Sequence, residues 1–234
     1  MKLWDDARVA QGLKTQLAAR QRRITAGEKP LGWKLGFGAP GSLEKLKISA
    51  PVTGYLMQSG LLPSGAQVNV KAWTQPVAEP EIAVRLKADL APGSNADTAR
   101  AAVASLTPAI ELADLDPAPT PENLQAILAE NFYQRHVVLS DHSRAGADAE
   151  GLSSHIFRRG KLAAETADPQ ALTGKLPDLL VHLADMLDAF GAALKSGDLV
   201  ICGSTLPPPL IEPDEVDFDY ALKPIGTVSV RFAR

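Results

Sequence analysis

Three glutamates, Glu79, Glu81 and Glu111, fall at positions where carboxylates could do chemistry. In Gln75-Pro-Val-Ala-Glu79-Pro-Glu81-Ile-Ala-Val-Arg-Leu, the alternation of Ile82, Val84 and Leu86 predicts a strand. Period two then puts Glu79 and Glu81 on one face, opposite Ile82 and Val84. About 30 residues on, Pro108-Ala-Ile-Glu111-Leu-Ala-Asp114 sets a lone acid in a short apolar strand between Ala109 and Ala113. Two carboxylates on alternate strand positions stand roughly 6–7 Å apart. At an effective dielectric of ~20 they repel by about 2–3 kcal/mol, and a third would roughly triple that. A solvated face tolerates such a cost, but an inward face calls for a cation. Oxygen-only ligands with positions left open suit Mg²⁺ or Mn²⁺ better than zinc. The same pattern also fits acids decorating a half-exposed strand, and spacing alone does not choose between the two.

The elements that must carry these residues belong to a chain of 234 residues, 45% of them hydrophobic, long enough to bury a sizeable core. Lys plus Arg number 24 against 27 Asp plus Glu, a net charge of −3, which argues against a nucleic-acid partner. A single cysteine, Cys202, excludes a disulfide framework and a thiolate zinc cage. The longest uncharged run, from Ile48 to Val70, contains Pro51, Gly54, Gly60, Pro63 and Gly65, too many breakers for a lipid-exposed helix. The start of the chain lacks the apolar core of a signal peptide. A soluble, cytoplasmic protein with no membrane partner is the expectation.

Residues 5–25 read as a helix with Ala10, Leu13, Leu17 and Ile24 roughly on one face, a basic end and Gly27 as its stop. Strands are expected at 31–37, 67–72, 79–87, 108–114, 135–139, 155–159, 198–202, 215–222 and 227–232. Further helices are expected at 95–106, 121–130 and 177–195, the last with Leu179, Leu183, Met186, Leu187, Phe190 and Leu194 at helical spacing. The irregular order, with strands outnumbering helices, predicts an α+β fold: a helical arm over 1–30 and one β-rich body over 31–234.

Gly36-Phe-Gly38-Ala-Pro-Gly41 matches a dinucleotide fingerprint, but Pro51 cuts short any helix after it and no acid lies between Lys47 and Lys71. A flexible turn is the better reading, and NAD is rejected. A nucleophile elbow and a phosphate loop are absent, and Cys202 sits in an apolar strand where a thiol is inert packing. The acidic run from Glu212 to Asp219 lacks calcium-loop spacing and reads as a solvated strand face.

Several segments, read in order, carry a stronger signal. They are Gly32-Trp-Lys34-Leu-Gly36; Ala50-Pro-Val-Thr-Gly54-Tyr-Leu56; Gln75-Pro76 leading to Glu79-x-Glu81-Ile-Ala; Pro108-Ala-x-Glu111-x-x-Asp114; Gly197-Asp198-Leu-Val-Ile-Cys-Gly203-Ser204; and Gly226-Thr-Val-Ser-Val-Arg-Phe232. This order resembles the 2-keto-4-pentenoate hydratase and 4-oxalocrotonate decarboxylase branch of the fumarylacetoacetate hydrolase superfamily, over nearly the whole chain. The resemblance implies a mostly β fold with a mixed, rolled sheet and an N-terminal helical segment. It implies Mg²⁺ or Mn²⁺ held by Glu79, Glu81 and Glu111, and 2-oxo acid substrates chelated through carboxylate and keto oxygens. Such a metal polarises the carbonyl and stabilises the enolate formed by proton abstraction or loss of CO₂. Lys34 matches the family's Gly-x-Lys-x-Gly lysine, which could exchange protons with the substrate. Gly203 and Ser204 match a loop that binds the substrate carboxylate, and Gln75 and Asp114 would orient water or the metal ligands. The family likeness also implies a homo-oligomer or pairing with a related subunit.

The chain departs from that pattern in two places. Where hydratases continue from the Asp114 position into Ser-Arg, this chain has Leu115-Asp116. Where they carry Asp-Asn and small residues, it has Glu130-Asn131-Phe132-Tyr133. Loss of the arginine and gain of two aromatics point to an altered distal pocket that does not select a second carboxylate. The hydrolase branch needs a lid histidine after the first strand, and residues 38–48 contain Glu44 but no histidine. The expectation is a divalent-metal-dependent lyase of a 2-oxo acid, hydratase or decarboxylase. An acylpyruvate-type C–C hydrolase and a non-catalytic partner subunit are the alternatives.

Overall fold

The structure, a computed structural model, describes residues 2–234. Asp6 caps helix α1 (Ala7–Thr25) by accepting from the Arg8 N–H, and Arg22 and Arg23 close its last turn. The chain then runs through β1 (Pro30–Gly36), α2 (Pro40–Leu46), β2 (Val52–Met57), β3 (Leu61–Pro63), β4 (Ala66–Asn69) and β5 (Pro76–Leu86). Next come α3 (Ala96–Ala102), β6 (Val103–Asp114), α4 (Leu124–Ala129), β7 (Gln134–Leu139), β8 (Arg144–Ala145), β9 (Ser153–Arg158) and β10 (Lys161–Thr166). Helix α5 (Leu176–Asp188) and strands β11 (Leu199–Ser204), β12 (Asp217–Lys223) and β13 (Gly226–Ala233) complete it.

Two mixed sheets form the body. The larger has the order β2-β1-β11-β5-β6-β7-β3, with β8 added to β6, and the smaller has the order β10-β9-β12-β13-β4. Ile82, Val84, Leu106, Ile110 and Leu112 of the larger sheet and Phe218, Tyr220, Val228 and Val230 of the smaller share the main core. Burying that face in oil leaves the opposite parity of β5 and β6 to carry Glu79, Glu81 and Glu111, as the alternation requires. The resemblance's rolled, mostly β fold with an N-terminal helix is the one observed.

A second apolar cluster covers the acid-bearing side. Val9 and Leu13 of α1, Leu46 of α2, Val52 of β2 and Leu124, Ile127 and Leu128 of α4 pack together with Phe132. Helix α1 can approach α4 because residue 12 is glycine: a Cβ there would stand 2.7 Å from Leu128 Cβ. Gln16, fully buried, ties the arm to the body by donating to the Leu128 and Thr53 carbonyls.

Several sequence expectations shift at the ends of elements. The helix expected over 95–106 stops at Ala102, because Val103 onward pairs with β5 and ladder bonding outweighs helical propensity. The helix expected over 177–195 stops at Asp188, and Leu194 instead bridges Leu90. The turn expected after Gly36 closes into the short helix α2, with Pro40 in its first turn and Lys47 left-handed at its end. Strands β2, β3, β8 and β10 lie outside the expected set, the Gly and Pro residues around β2 and β3 reading as loop.

Gly12→Val should lower folding stability by about 1–3 kcal/mol through overpacking, more than its small gain in helix propensity. Urea unfolding checks this, and an unchanged midpoint would mean that α1 and α4 are not in close contact.

Candidate active site

Strand register brings the sequence-predicted acids together. Glu79 of β5 lies directly across from Glu111 of β6, and Glu81 sits opposite Ser204 of β11. Lys34 of β1 reaches the same face, where its ammonium contacts the Glu111 carboxylate. Lys34, Glu81 and Glu111 are 2%, 1% and 2% exposed, so three ionisable groups are shut away from water together.

Strand β11 supplies the donors. Its register with β5 slips between Ile201 and Ser204, a bulge in which Gly203 adopts φ 97°, a left-handed conformation suited to glycine. The bulge turns the Gly203 N–H onto Glu81 Oε2 at 2.7 Å, and the Ser204 hydroxyl donates to Glu79 Oε2 at 2.8 Å. Thr205 fixes this turn by donating its N–H to the Pro80 carbonyl at 2.8 Å. The resemblance assigns Gly203 and Ser204 to a substrate carboxylate. In the structure their donors orient the glutamates, while both residues also line the adjoining cleft.

Burial is the dominant influence on the two enclosed acids. Desolvation pushes Glu81 well above the usual carboxylate range, and repulsion from Glu111 and Glu79 adds to it while Lys34 opposes it. Desolvation also raises Glu111, with Lys34 pulling it back down. Glu81 Oε1 is buried without a hydrogen-bond partner. Among the described residues no three His, Cys, Asp or Glu side chains stand in a closed metal-binding cluster, and the Lys34 ammonium contacts Glu111. The orphaned Glu81 oxygen and the all-oxygen donor set nevertheless fit a hard divalent cation, which would give the buried charge its partner.

The site has two connected chambers. The inner one, about 40 Å³, is lined by Lys34, Glu111, Phe132 and Tyr133, with Gly36, Phe37, Glu79 and Leu115 shared with the outer one. The outer cleft, about 190 Å³, is walled by Ala39, Leu46, Leu115, Pro119, Leu172 and Thr173, with Lys45 exposed at its rim. Gln75 and Asp114 stand apart from both chambers. The Gln75 and Thr74 N–H groups donate to Asp114 Oδ1 at 2.8 and 3.0 Å, and Arg135 lies 3.6 Å from Oδ2. The Gln75 side chain is exposed. All four histidines are elsewhere: His182 bonds the Pro51 carbonyl, His155 meets Ser153 and Glu165, His136 stacks on Trp73, and His142 packs by Gly226.

Sequence reasoning missed the parts of the site contributed by irregular backbone. Leu172 and Thr173 carry no motif, and Phe37 falls only in the glycine-rich segment read as a turn. Phe132 was noted as an unusual aromatic, but not as a neighbour of Lys34: its ring centroid lies 4.0 Å from Nζ and its carbonyl 3.4 Å away.

No family model matches the chain. A 2-hydroxypent-2,4-dienoate hydratase of Pseudomonas putida is 31% identical over 193 residues, 80% of this chain and 86% of the relative. A 2-hydroxyhexa-2,4-dienoate hydratase of Comamonas testosteroni is 29% identical over 216 residues, 90% of this chain and 81% of the relative. Among solved structures, the 4-oxalocrotonate decarboxylase from Pseudomonas putida G7, complexed with magnesium and adipate, superposes with a TM-score of 0.87 at 22% identity. That match covers 99% of this chain and 90% of the other. The chain is thus an enzyme of the metal-dependent lyase class. It belongs to the 2-keto-4-pentenoate hydratase and 4-oxalocrotonate decarboxylase branch of the fumarylacetoacetate hydrolase superfamily. Among the described residues no helix is long and apolar enough to cross a membrane.

In chelator-stripped protein, Glu81 holds its proton more tightly folded than unfolded. The native state therefore binds the extra proton, and stability falls as pH rises above the ordinary glutamate range. Glu81→Gln should flatten that slope. It should also abolish stabilisation by Mg²⁺, worth about 2.7 kcal/mol at a hundredfold excess over Kd. Thermal melts with and without Mg²⁺ across roughly pH 5 to 8 read both effects. A variant with the wild-type slope and full Mg²⁺ stabilisation would remove Glu81 from the site.

Proposed function

We propose that this enzyme is a hydratase, adding water to a 2-hydroxydienoate or 2-oxo-pentenoate-like acid with a short, uncharged tail. The carrying observation is the outer cleft: Phe37, Leu46, Leu115, Pro119 and Leu172 wall it, with no buried cation to receive a second carboxylate. Glu79, Glu81 and Glu111 would hold the divalent ion, Mg²⁺ or Mn²⁺. When bound, that ion supplies a Lewis acid at the 2-oxo group and compensates the buried carboxylates. The Ser204 hydroxyl orients Glu79, which lines the inner chamber, and the Gly203 N–H orients Glu81 on the same face of β5. The dienol first becomes a 2-oxo-3-enoate, its hydroxyl giving up a proton and its terminal carbon taking one. Lys34 Nζ would then deliver a proton to carbon 3 as water adds at carbon 4, and the water's released proton would return to Lys34. Leu115, Leu172 and Thr173 exclude bulk water from the tail.

Asp114 acts at one remove in this reading. It holds the turn at Thr74 and Gln75 that starts β5, and so sets where Glu79 begins its run. Assembly as a homo-oligomer, or with a related subunit, belongs to the same proposal and rests on the family likeness. Decarboxylation is the second reading, favoured by one observation: the Lys45 ammonium at the cleft rim could meet a distal carboxylate.

Calorimetric titration of Mg²⁺ and Mn²⁺ into stripped protein, with and without oxalate as a planar enolate mimic, tests the site. Metal binding strengthened by oxalate is expected, and no binding in either condition would sink the metal-lyase mechanism for this chain. Given a bound metal, 2-hydroxydienoates with methyl tails should be turned over at least about tenfold more efficiently than those ending in carboxylate. The reverse preference, lost in Lys45→Ala, would establish the decarboxylase reading. Lys34→Met should lower kcat by about 100-fold or more while retaining metal affinity, and an unchanged kcat would exclude Lys34 as the proton carrier.

A further inference from the structure

We propose that Phe132 is the positioning residue of Lys34, holding its ammonium in the inner chamber through the face of its ring and its backbone carbonyl. The inference rests on Lys34 being the proton carrier and adds how this chain keeps it aimed. Three groups surround Nζ: the Glu111 carboxylate, the Phe132 carbonyl at 3.4 Å, and the Phe132 ring with its centroid at 4.0 Å. A cation that close to an aromatic face is attracted by the ring quadrupole, more strongly where water is excluded.

The backbone is bent to achieve this. Asn131, Phe132 and Tyr133 have φ values of 61°, 28° and 72°, three successive residues in a region that side-chain-bearing residues rarely adopt. The surroundings impose the bend. Asn131 Oδ1 accepts from the Tyr55 N–H at 2.8 Å, and its Nδ2 donates to the Tyr55 carbonyl at 2.9 Å, as an extra strand residue would. The Tyr133 hydroxyl donates to the Pro117 carbonyl. The Phe132 ring sits where Gly36 and Gly54 leave room: a Cβ at either would lie 2.5 or 2.8 Å from ring carbons. Phe37 flanks it at a centroid distance of 5.5 Å.

Packing alone asks only for an apolar side chain at 132, and it gives no reason for the carbonyl and the ring face to converge on one ammonium. The chemistry supplies one. A Glu111 carboxylate shared with a divalent cation is a weaker partner for Lys34 than a carboxylate it holds alone. The ring and the carbonyl do not change when that sharing begins, so Nζ stays pointed at the substrate.

Two measurements decide the proposal. In metal-free protein, the ε-CH₂ protons of Lys34 should resonate upfield through the ring current, and the shift should vanish in Phe132→Leu. Unshifted resonances in the wild type would overturn the placement, whatever the enzyme turns over. Replacing Phe132 by mono-, di- and trifluorinated phenylalanine keeps ring size and fold while draining the quadrupole. Across that series kcat should fall stepwise, roughly three- to thirtyfold in all, with KM and Mg²⁺ affinity unchanged. A flat series beside an upfield-shifted lysine would reduce Phe132 to packing. A Lys34→Met variant with full kcat would instead overturn the proton-carrier reading.

Discussion

Two carboxylates and one ammonium are enclosed on the same face of one sheet, and the rest of the molecule is arranged around that imbalance. Glu81 and Glu111 are both excluded from water, yet Lys34 contacts only Glu111. An isolated buried charge costs several kcal/mol, far more than any single hydrogen bond returns. Glu81 receives one backbone donor and keeps one oxygen without a partner. Burial holds that carboxyl well above the usual carboxylate range, and its orphaned oxygen fits a hard cation that would complete the site. The bulge in β11 and the Thr205 bond to Pro80 set how close the donors come to the acids.

The cover over this face carries a second cost. A residue held at positive φ without a glycine's freedom costs on the order of 1–3 kcal/mol, and here three stand in a row. Two hydrogen bonds from one buried asparagine and the burial of a phenylalanine side chain offset a sum of similar size. The helical arm contributes to the same end. Gly12 lets α1 settle against α4, and α4 delivers the chain into the bent segment, so a residue far from the acids in sequence still bears on their environment.

Much of this was legible in the sequence, and the reason lies in period. Strict alternation in β5 told which face Glu79 and Glu81 share, and the structure keeps it because the other parity is filled by Ile82 and Val84 in the main core. Cross-strand register was not legible: nothing in the spacing from Glu81 to Glu111 says that Glu79 ends up opposite Glu111. The family likeness joins Gln75 and Asp114 to the site, and in the structure the Gln75 N–H donates to Asp114, a bond between strand ends that no periodicity foretells. The aromatic pair at 132 and 133 was visible as a departure, whereas its position under Lys34 depends on backbone angles that no hydrophobic pattern encodes. The end of the long helix was misjudged for a related reason, since Leu194 fits helical spacing and a bridge to Leu90 equally well.

The fit of the Phe132 ring over two bare α-carbons has an evolutionary corollary. Gly36 and Gly54 lie on neighbouring strands and Phe132 comes from a distant loop, yet their three codons describe one shape. A methyl group gained at Gly36 cannot drift to fixation while the ring is present, and a lineage that trims the ring loses what forbade it; at Gly54 the Asn131 amide oxygen and the Lys34 side chain, 2.7 and 2.9 Å from the methyl, would forbid it still. Descent through this corner of the fold therefore proceeds by an ordered pair of steps, ring first and methyl second. A lineage that has taken both cannot restore the ring without first reverting the methyl, so the path works as a ratchet.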